Sequence, residues 1–302
     1  MVKTAVIIIH FKNISDTFDC LDSLSKCNYD KEQLMKIVVL NSSVDSVIKE
    51  KLQKKYSGVI VLNNNNNLGF SGGNNVGIQK ALQNGCKYLI LLNNDTIVDS
   101  HLLKDMILMA ESANKIGLIS PKIYFAHGFE YHKNRYKDDE RGKIIWYAGG
   151  QIDWNNIYVR HRGVDEFDFG QYDKAVQTDF ATGCCMLISR DLIEHIGLLD
   201  EKYFLYYEDV DYSIRAIKAG FKIYYLPKAH IWHKNASSSG KPGSKLHIYY
   251  QERNRLYFGF KYASIKTKKS LIFDSLRILF KGNVYRDAIV DYYSGRMGYK
   301  NI

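Results

Sequence analysis

Four short apolar runs, rich in β-branched residues and separated by about 20 to 25 residues, restrict this chain more than any other feature. They are Ala5-Val6-Ile7-Ile8-Ile9, Ile37-Val38-Val39-Leu40, Val59-Ile60-Val61-Leu62 and Tyr88-Leu89-Ile90-Leu91-Leu92. A strand that is apolar on both faces has to be covered on both faces, so the pattern predicts βα units around a mainly parallel central sheet flanked by helices. The expected class is α/β, of a nucleotide-binding type. Ligands of such sheets sit beyond the carboxyl ends of the strands. Those ends are polar here: His10-Phe11-Lys12-Asn13, Asn41-Ser42-Ser43-Val44-Asp45, the asparagines at 63–67, and Asn93-Asn94-Asp95.

With 302 residues and 46% hydrophobic content the chain is globular and long enough for one large domain or two modest ones. Its first ten residues are too short an apolar run for a signal peptide, and no stretch reaches about 18 uninterrupted apolar residues. The expected location is the cytoplasm. Five cysteines at 20, 27, 86, 184 and 185 lack CxxC spacing, which supports neither a zinc site nor a disulfide framework.

The formal charge of +10 attracts phosphate, nucleic acid or anionic lipid. Much of it lies late: Lys261, Lys266, Lys268, Lys269, Arg277 and Lys281 stand against Asp274 and alternate with Leu271, Ile272, Phe273, Leu276, Ile278, Leu279 and Phe280. Two readings stay open. A basic amphipathic helix of this kind can lie on the inner face of the plasma membrane, or it can pack on the core with a solvated Lys face. No zinc finger, RRM or other nucleic-acid module accompanies the charge, so nucleic acid is not an expected partner.

Further along, residues 121–176 read as strand-and-loop material with a loop expected to move near 127–143. Met186-Leu187-Ile188 reads as a strand, followed by a helix from Ser189 to about Ile196 ended by Gly197. Ile223-Tyr224-Tyr225-Leu226 reads as a strand ending before Pro227, and the chain is expected to be helical after Gly243.

Glu208-Asp209-Val210-Asp211 places three carboxylates between the aromatic run Tyr203-Phe204-Leu205-Tyr206-Tyr207 and a helical pattern closing at Gly220. Carboxylates beside apolar surface are held partly protonated, which suits a general base; equally, acids favour helix starts, and Asp211 can pair with Arg215 at i, i+4. Asp95, at a strand tip, can reach a divalent cation bridging two phosphates, or simply close a turn. Leu68-Gly69-Phe70-Ser71-Gly72-Gly73-Asn74-Asn75-Val76-Gly77 leads into a helix with Ser71 as its expected N-cap, yet matches neither GxGxxG nor the P-loop. His230 and His233 follow a strand, where an imidazole can be a metal ligand or an ordinary loop histidine.

Taken in order, Asn67-Leu68-Gly69-Phe70-Ser71-Gly72-Gly73-Asn74-Asn75-x-Gly77, Asn93-Asn94-Asp95, Thr182-Gly183, Gly197-x-x-Asp200-Glu201-x-Tyr203-Phe204-x-x-Tyr207-Glu208-Asp209-x-Asp211, residues 215–220, Pro227-x-Ala229 and His233 resemble glycosyltransferase family 2. The similarity spans residue 3 to about 260 and is greatest to the inverting GT-A enzymes of the bacterial rhamnosyltransferase-like branch.

The resemblance implies a GT-A-like nucleotide-diphospho-sugar transferase fold over 1–240, with a nucleotide-binding half (1–120), an acceptor and catalytic half (121–240), and a helical C-terminal region (241–302). It implies a sugar, rhamnose in this branch, moved from a nucleotide-diphosphate donor to a glycan or lipid-linked glycan in surface polysaccharide synthesis. Asp209 would be the base and Glu208 its neighbour on the acceptor side. Asp95 and His233 would bind a divalent cation, Mg2+ or Mn2+. His10, Asn41, Asn67, Gly72, Asn74, Asn75, Asn93, Asn94 and Arg253 would line the donor, Arg253 belonging to a Tyr-x-x-Arg-Asn segment. Leu40 stands where the family's second-strand motif has an acid, although Asn41, Ser43 and Asp45 match it. That departure, with Asn93 in place of the first acid of a DxD element, motivates the alternative of a noncatalytic sugar-nucleotide or glycan-binding protein.

Overall fold

The computed structural model describes residues 3–42, 46–132, 134–235 and 243–302. Ser43 and Asp45, and the expected boundary between 240 and 241, lie outside the described residues.

Each of the four apolar runs is a strand: β1 (Thr4–His10), β2 (Leu34–Leu40), β3 (Val59–Asn63) and β4 (Tyr88–Asn93). They pair in parallel in the order β3-β2-β1-β4. Between them run α1 (Ile14–Ser25), α2 (Ser46–Lys55) and α3 (Gly69–Gln83). Ile7, Ile37 and Leu89 face one core cluster while Val6, Val38 and Ile90 face another, so the strands are apolar on both sides because helices cover both.

Beyond β4 the sheet is mixed. After β5 (Thr96–Val98) and α4 (Leu102–Glu111) come β6 (Ile116–Phe125), β7 (Ile145–Tyr147), the hairpin β8 (Gly150–Asp153) and β9 (Tyr158–His161), then β10 (Val176–Gln177), β11 (Cys185–Ser189), α5 (Arg190–Ile196), α6 (Glu208–Lys218) and β12 (Lys222–His233). β11 inserts antiparallel between β4 and β6, and β12 lies parallel to β6. Contrary to expectation, β12 does not stop at Pro227. It continues to His233 through a register shift between Leu226 and His230, since a proline that cannot donate to the ladder is tolerated at a bulge. His230 and His233 are therefore strand residues.

The stretch at 127–143 is tied to the body. Buried Glu130 accepts from the backbone N–H groups of Gly128 and Gly142, each at 2.9 Å, and the Trp232 indole donates to the Gly142 carbonyl. After Gly243 the chain is helical to Tyr293, in α7 (Lys245–Tyr262), α8 (Ile265–Ile278) and α9 (Asn283–Tyr293), and the last nine residues, 294–302, are not. Among the described residues no helix is long and apolar enough to cross a membrane.

Candidate active site

The polar strand ends meet along one edge of the sheet. After β1, buried His10 places Nδ1 2.8 Å from the Thr17 hydroxyl at the start of α1; the same hydroxyl accepts from Asn94 Nδ2 at 3.0 Å, after β4. Asn93 is fixed by its backbone, whose N–H donates to the Cys184 carbonyl at 2.9 Å.

Asn41 organises the next loop. Its Nδ2 donates to the Gly69 carbonyl at 2.8 Å and to Asn67 Oδ1, while its Oδ1 accepts from the Leu68 backbone and from Asn64. Asn67 Oδ1 in turn accepts from the Gly69 N–H at 2.9 Å. The helix consequently starts at Gly69, with Leu68 at its N-cap position, and Ser71 is not the cap but lies inside the first turn, buried with its hydroxyl unpartnered. Gly69 is required: its φ is +70°, and a Cβ there would collide with the Phe204 carbonyl and ring.

Several residues expected on the donor face inward instead. Asn75 donates to the Leu199 carbonyl and Glu201 and accepts from the Leu199 N–H at 3.1 Å, pinning α3 to the segment before the acids. Asn74 donates back to the Phe70 carbonyl, and Gly72 packs against Leu68 and Glu201. Arg253 is 1% exposed, and its guanidinium donates to Asn254 Oδ1 and to the carbonyls of Gly298, Lys202 and Tyr203. It is thus a tether rather than a diphosphate contact: its donors are consumed by buried carbonyls that need them.

The acidic cluster opens α6. Three non-glycine residues just before it, Phe204, Tyr206 and Tyr207, have φ of 61°, 69° and 71°. Left-handed aromatic residues in close succession are costly and persist only when the surroundings hold them. Asn254 does so, its Nδ2 donating to the carbonyls of Tyr203, Leu205 and Tyr206 at 2.8, 2.7 and 2.8 Å. The turn delivers Glu208 and Asp209 to the first turn of α6, where the helix dipole favours negative charge.

The two acids are differently placed. Asp209 Oδ2 accepts from the Gly183 N–H at 2.9 Å and Oδ1 from the Val210 N–H at 2.8 Å. Burial raises its pKa and these backbone donors oppose the rise. Glu208 is buried with Oε2 unpartnered, and burial, followed by the Asp209 charge, drives its pKa well above the usual range. Glu208, without such donors and beside the Asp209 charge, is accordingly the harder of the two to ionise. Asp211 is fully buried and serves structure, accepting from Arg215 at 2.9 Å, Lys261 at 2.7 Å, and the hydroxyls of Tyr203 and Tyr262.

Asp95 and His233 meet across the β5–β12 pairing, with His233 Nε2 3.1 Å from Asp95 Oδ1, both buried. The spacing matches two adjacent ligands of one octahedral ion, which at bonds of about 2.1 Å stand about 3.0 Å apart. Among the described residues no group of three His, Cys, Asp or Glu side chains could hold an ion, so oxygens of another kind, such as those of a diphosphate, would have to complete the shell. Gly183-Cys184 lies between Asp209 and the strand end that leads to Asp95: Gly183 donates to Asp209, the Cys184 carbonyl accepts from Asn93, and the buried Cys184 thiol, raised chiefly by burial, also feels the Asp95 and Asp209 charges.

Two residues without an expected role also matter here. Thr17 joins His10 to Asn94, and Asn254 holds the strained turn. The Arg-Asn pair at 253–254 is the signal that could have pointed to the second.

A family model described as "Glycosyltransferase like family 2" matches residues 3–259. The chain belongs to this family of glycosyltransferases. Over 252 residues, 83% of this chain and 73% of the relative, it is 23% identical to the low-salt glycan biosynthesis hexosyltransferase Agl10 of Haloferax volcanii. It is 21% identical to the dTDP-rhamnosyl transferase RfbF of Shigella flexneri over 74% of this chain and 70% of the relative. A 66-residue segment, 22% of each chain, is 42% identical to the N-acetylglucosaminyl-diphospho-decaprenol L-rhamnosyltransferase of Mycobacterium tuberculosis.

Among solved structures, GalNAc-T7 with UDP, GalNAc and Mn2+ superposes with a TM-score of 0.66 at 16% identity, over 96% of this chain. The chain spans about half that protein's length, 55%. The mannosyltransferase PcManGT of Pyrobaculum calidifontis, with GDP-Man and Mn2+, gives 0.55 at 11% identity over 97% of this chain and 73% of its own. The family 2 fold is therefore of the GT-A type, as the sequence resemblance implied.

Proposed function

We propose that the protein transfers a sugar, with inversion, from a nucleotide-diphosphate donor to a hydroxyl of a glycan or lipid-linked glycan, rhamnose being the sugar that two of its relatives' names suggest. One observation carries the reading: Gly183-Cys184 bonds the half-buried carboxylate of Asp209 on one side and, on the other, the backbone of Asn93, two residues before Asp95 of the Asp95–His233 pair. Inversion calls for two such groups, a base for the attacking hydroxyl and a charged anchor for the leaving diphosphate.

In this mechanism Asp209 takes the acceptor O–H proton as that oxygen bonds to the anomeric carbon and the bond to the nucleoside diphosphate breaks. The Gly183 and Val210 N–H groups orient its carboxylate. Glu208 resists ionisation beside the base, which limits the negative charge gathered there. Asp95 and His233 are the residues that would hold a divalent cation, Mg2+ or Mn2+, which when bound supplies positive charge to the departing diphosphate.

A thermal-shift panel of nucleotide sugars with and without Mg2+ or Mn2+, followed by a transfer assay with the donors that bind, tests the proposal. Stabilisation by at least one donor, enhanced by the cation, is expected. Silence across the panel overturns it.

A further inference from the structure

We infer that the outer face of α8 is a docking surface for an anionic lipid bilayer. α8 has two apolar faces. One is used: Leu271 and Ile278 are buried, and Leu271 packs so closely on α7 that a Cβ at Gly259 would strike it. On the same side the Thr267 hydroxyl donates to the Trp154 carbonyl, and Ser275 lies 3.1 Å from the Tyr293 hydroxyl.

The opposite face carries Ile265, Ile272, Phe273 and Leu276, with exposures of 76%, 42%, 73% and 53%, and Phe280, in the turn just past the helix end, is 90% exposed. At about 100° per residue the four helical positions fall within one arc of roughly 100°, facing away from Leu271 and Ile278. An ordinary solvated face would carry polar residues there, and scattered exposed side chains would not align.

Charge selects the occupant. Lys266 and Arg277 flank the stripe on one side and Lys268 on the other, with Lys269 inside it and Lys281 just beyond α8. Asp274, the acid between 265 and 281, is already neutralised by Arg255 at 2.9 Å and Arg277 at 3.1 Å. A basic rim around an apolar stripe of large side chains is the chemistry of a helix lying in a lipid interface, with side chains in the acyl boundary and ammonium groups among phosphates. A second copy of this chain fits less well, because a two-fold contact through this face would set one basic rim against another. The inference is independent of the sugar-transfer reading, since it uses no residue of that site.

Flotation of the purified full chain with vesicles tests it, comparing phosphatidylcholine alone with phosphatidylcholine containing phosphatidylglycerol. The chain should float with the anionic vesicles at low salt, and less so at high salt. Phe273→Ser with Phe280→Ser should weaken binding at least about tenfold, because two aromatic side chains are lost from the apolar face. Lys266→Glu with Lys269→Glu should do the same. These positions are exposed, and an unchanged melting temperature verifies folding. Absence of flotation with anionic vesicles, or flotation indifferent to both double variants, overturns the inference. So does a dimer, seen by sedimentation, that Phe273→Ser with Phe280→Ser dissolves, since the face would then be a contact between copies.

Discussion

Asn254 Nδ2 lies 2.8 Å from the Tyr206 carbonyl, two residues before Glu208. A side chain on α7 thereby fixes the left-handed turn that aims the proposed base, and its two N–H groups are shared among three carbonyls. Asn254→Ala leaves those carbonyls without their donor, at a cost of about 1–3 kcal/mol. Its kcat should fall about 10- to 100-fold, while donor affinity and the position of the acid limb stay unchanged. Steady-state kinetics beside a donor titration checks this. A lowered melting temperature with unchanged kcat would mean that the clamp serves stability alone.

The pH dependence of transfer follows from Asp209. A base works when ionised, and burial lifts its pKa above that of an ordinary aspartate. The acid limb of kcat against pH should therefore lie on the alkaline side of the normal Asp range. A limb at the ordinary value would show that a solvated carboxylate is titrating.

Stability has its own pH signature, from Glu208. Its pKa is 4.5 unperturbed and well above that in the folded state, so the native protein binds the extra proton. The stability this represents is full below the unfolded value and is lost as pH rises through the folded one. Glu208→Gln, which cannot ionise, should melt higher than the parent at pH 8, by about 2–4 °C for each kcal/mol relieved. The difference should vanish toward pH 4. Melting curves across that range check it, and a variant equally shifted at both ends would contradict the assignment.

Metal binding should depend on the nucleotide. Asp95 and His233 supply two ligands, and no larger cluster exists among the described residues. Calorimetry should show weak Mn2+ binding to the protein alone and tighter binding with a nucleoside diphosphate present, the gain being lost in Asp95→Asn. Equal affinity with and without nucleotide would exclude an ion completed by the diphosphate.

The strands and their polar ends were legible because apolar continuity and turn residues are local signals, and so was the Asp211–Arg215 pair, set by helical spacing. The antiparallel insertion of β11 was not, since strand order is not written in any one segment. The passage of β12 through Pro227 was hidden because a bulge depends on the neighbouring strand. Side-chain direction was hardest to read. Asn75 and Arg253 stand in motifs that resemble donor contacts, yet their amide and guanidinium groups satisfy buried carbonyls brought close only by tertiary packing. Lys122, 2% exposed and bridging Asp168 and Asp173 at 2.7 and 2.6 Å, escaped notice for the same reason.

The central claim is that Asp209 removes the acceptor proton, and Asp209→Asn tests it most directly because the amide keeps the shape and loses the base. With a donor identified by thermal shift, the account predicts that the variant still binds that donor while transfer falls by at least about a hundredfold. Transfer at the parental rate by Asp209→Asn would contradict it, and a parent that binds donors but turns over none would favour a binding protein built on this fold.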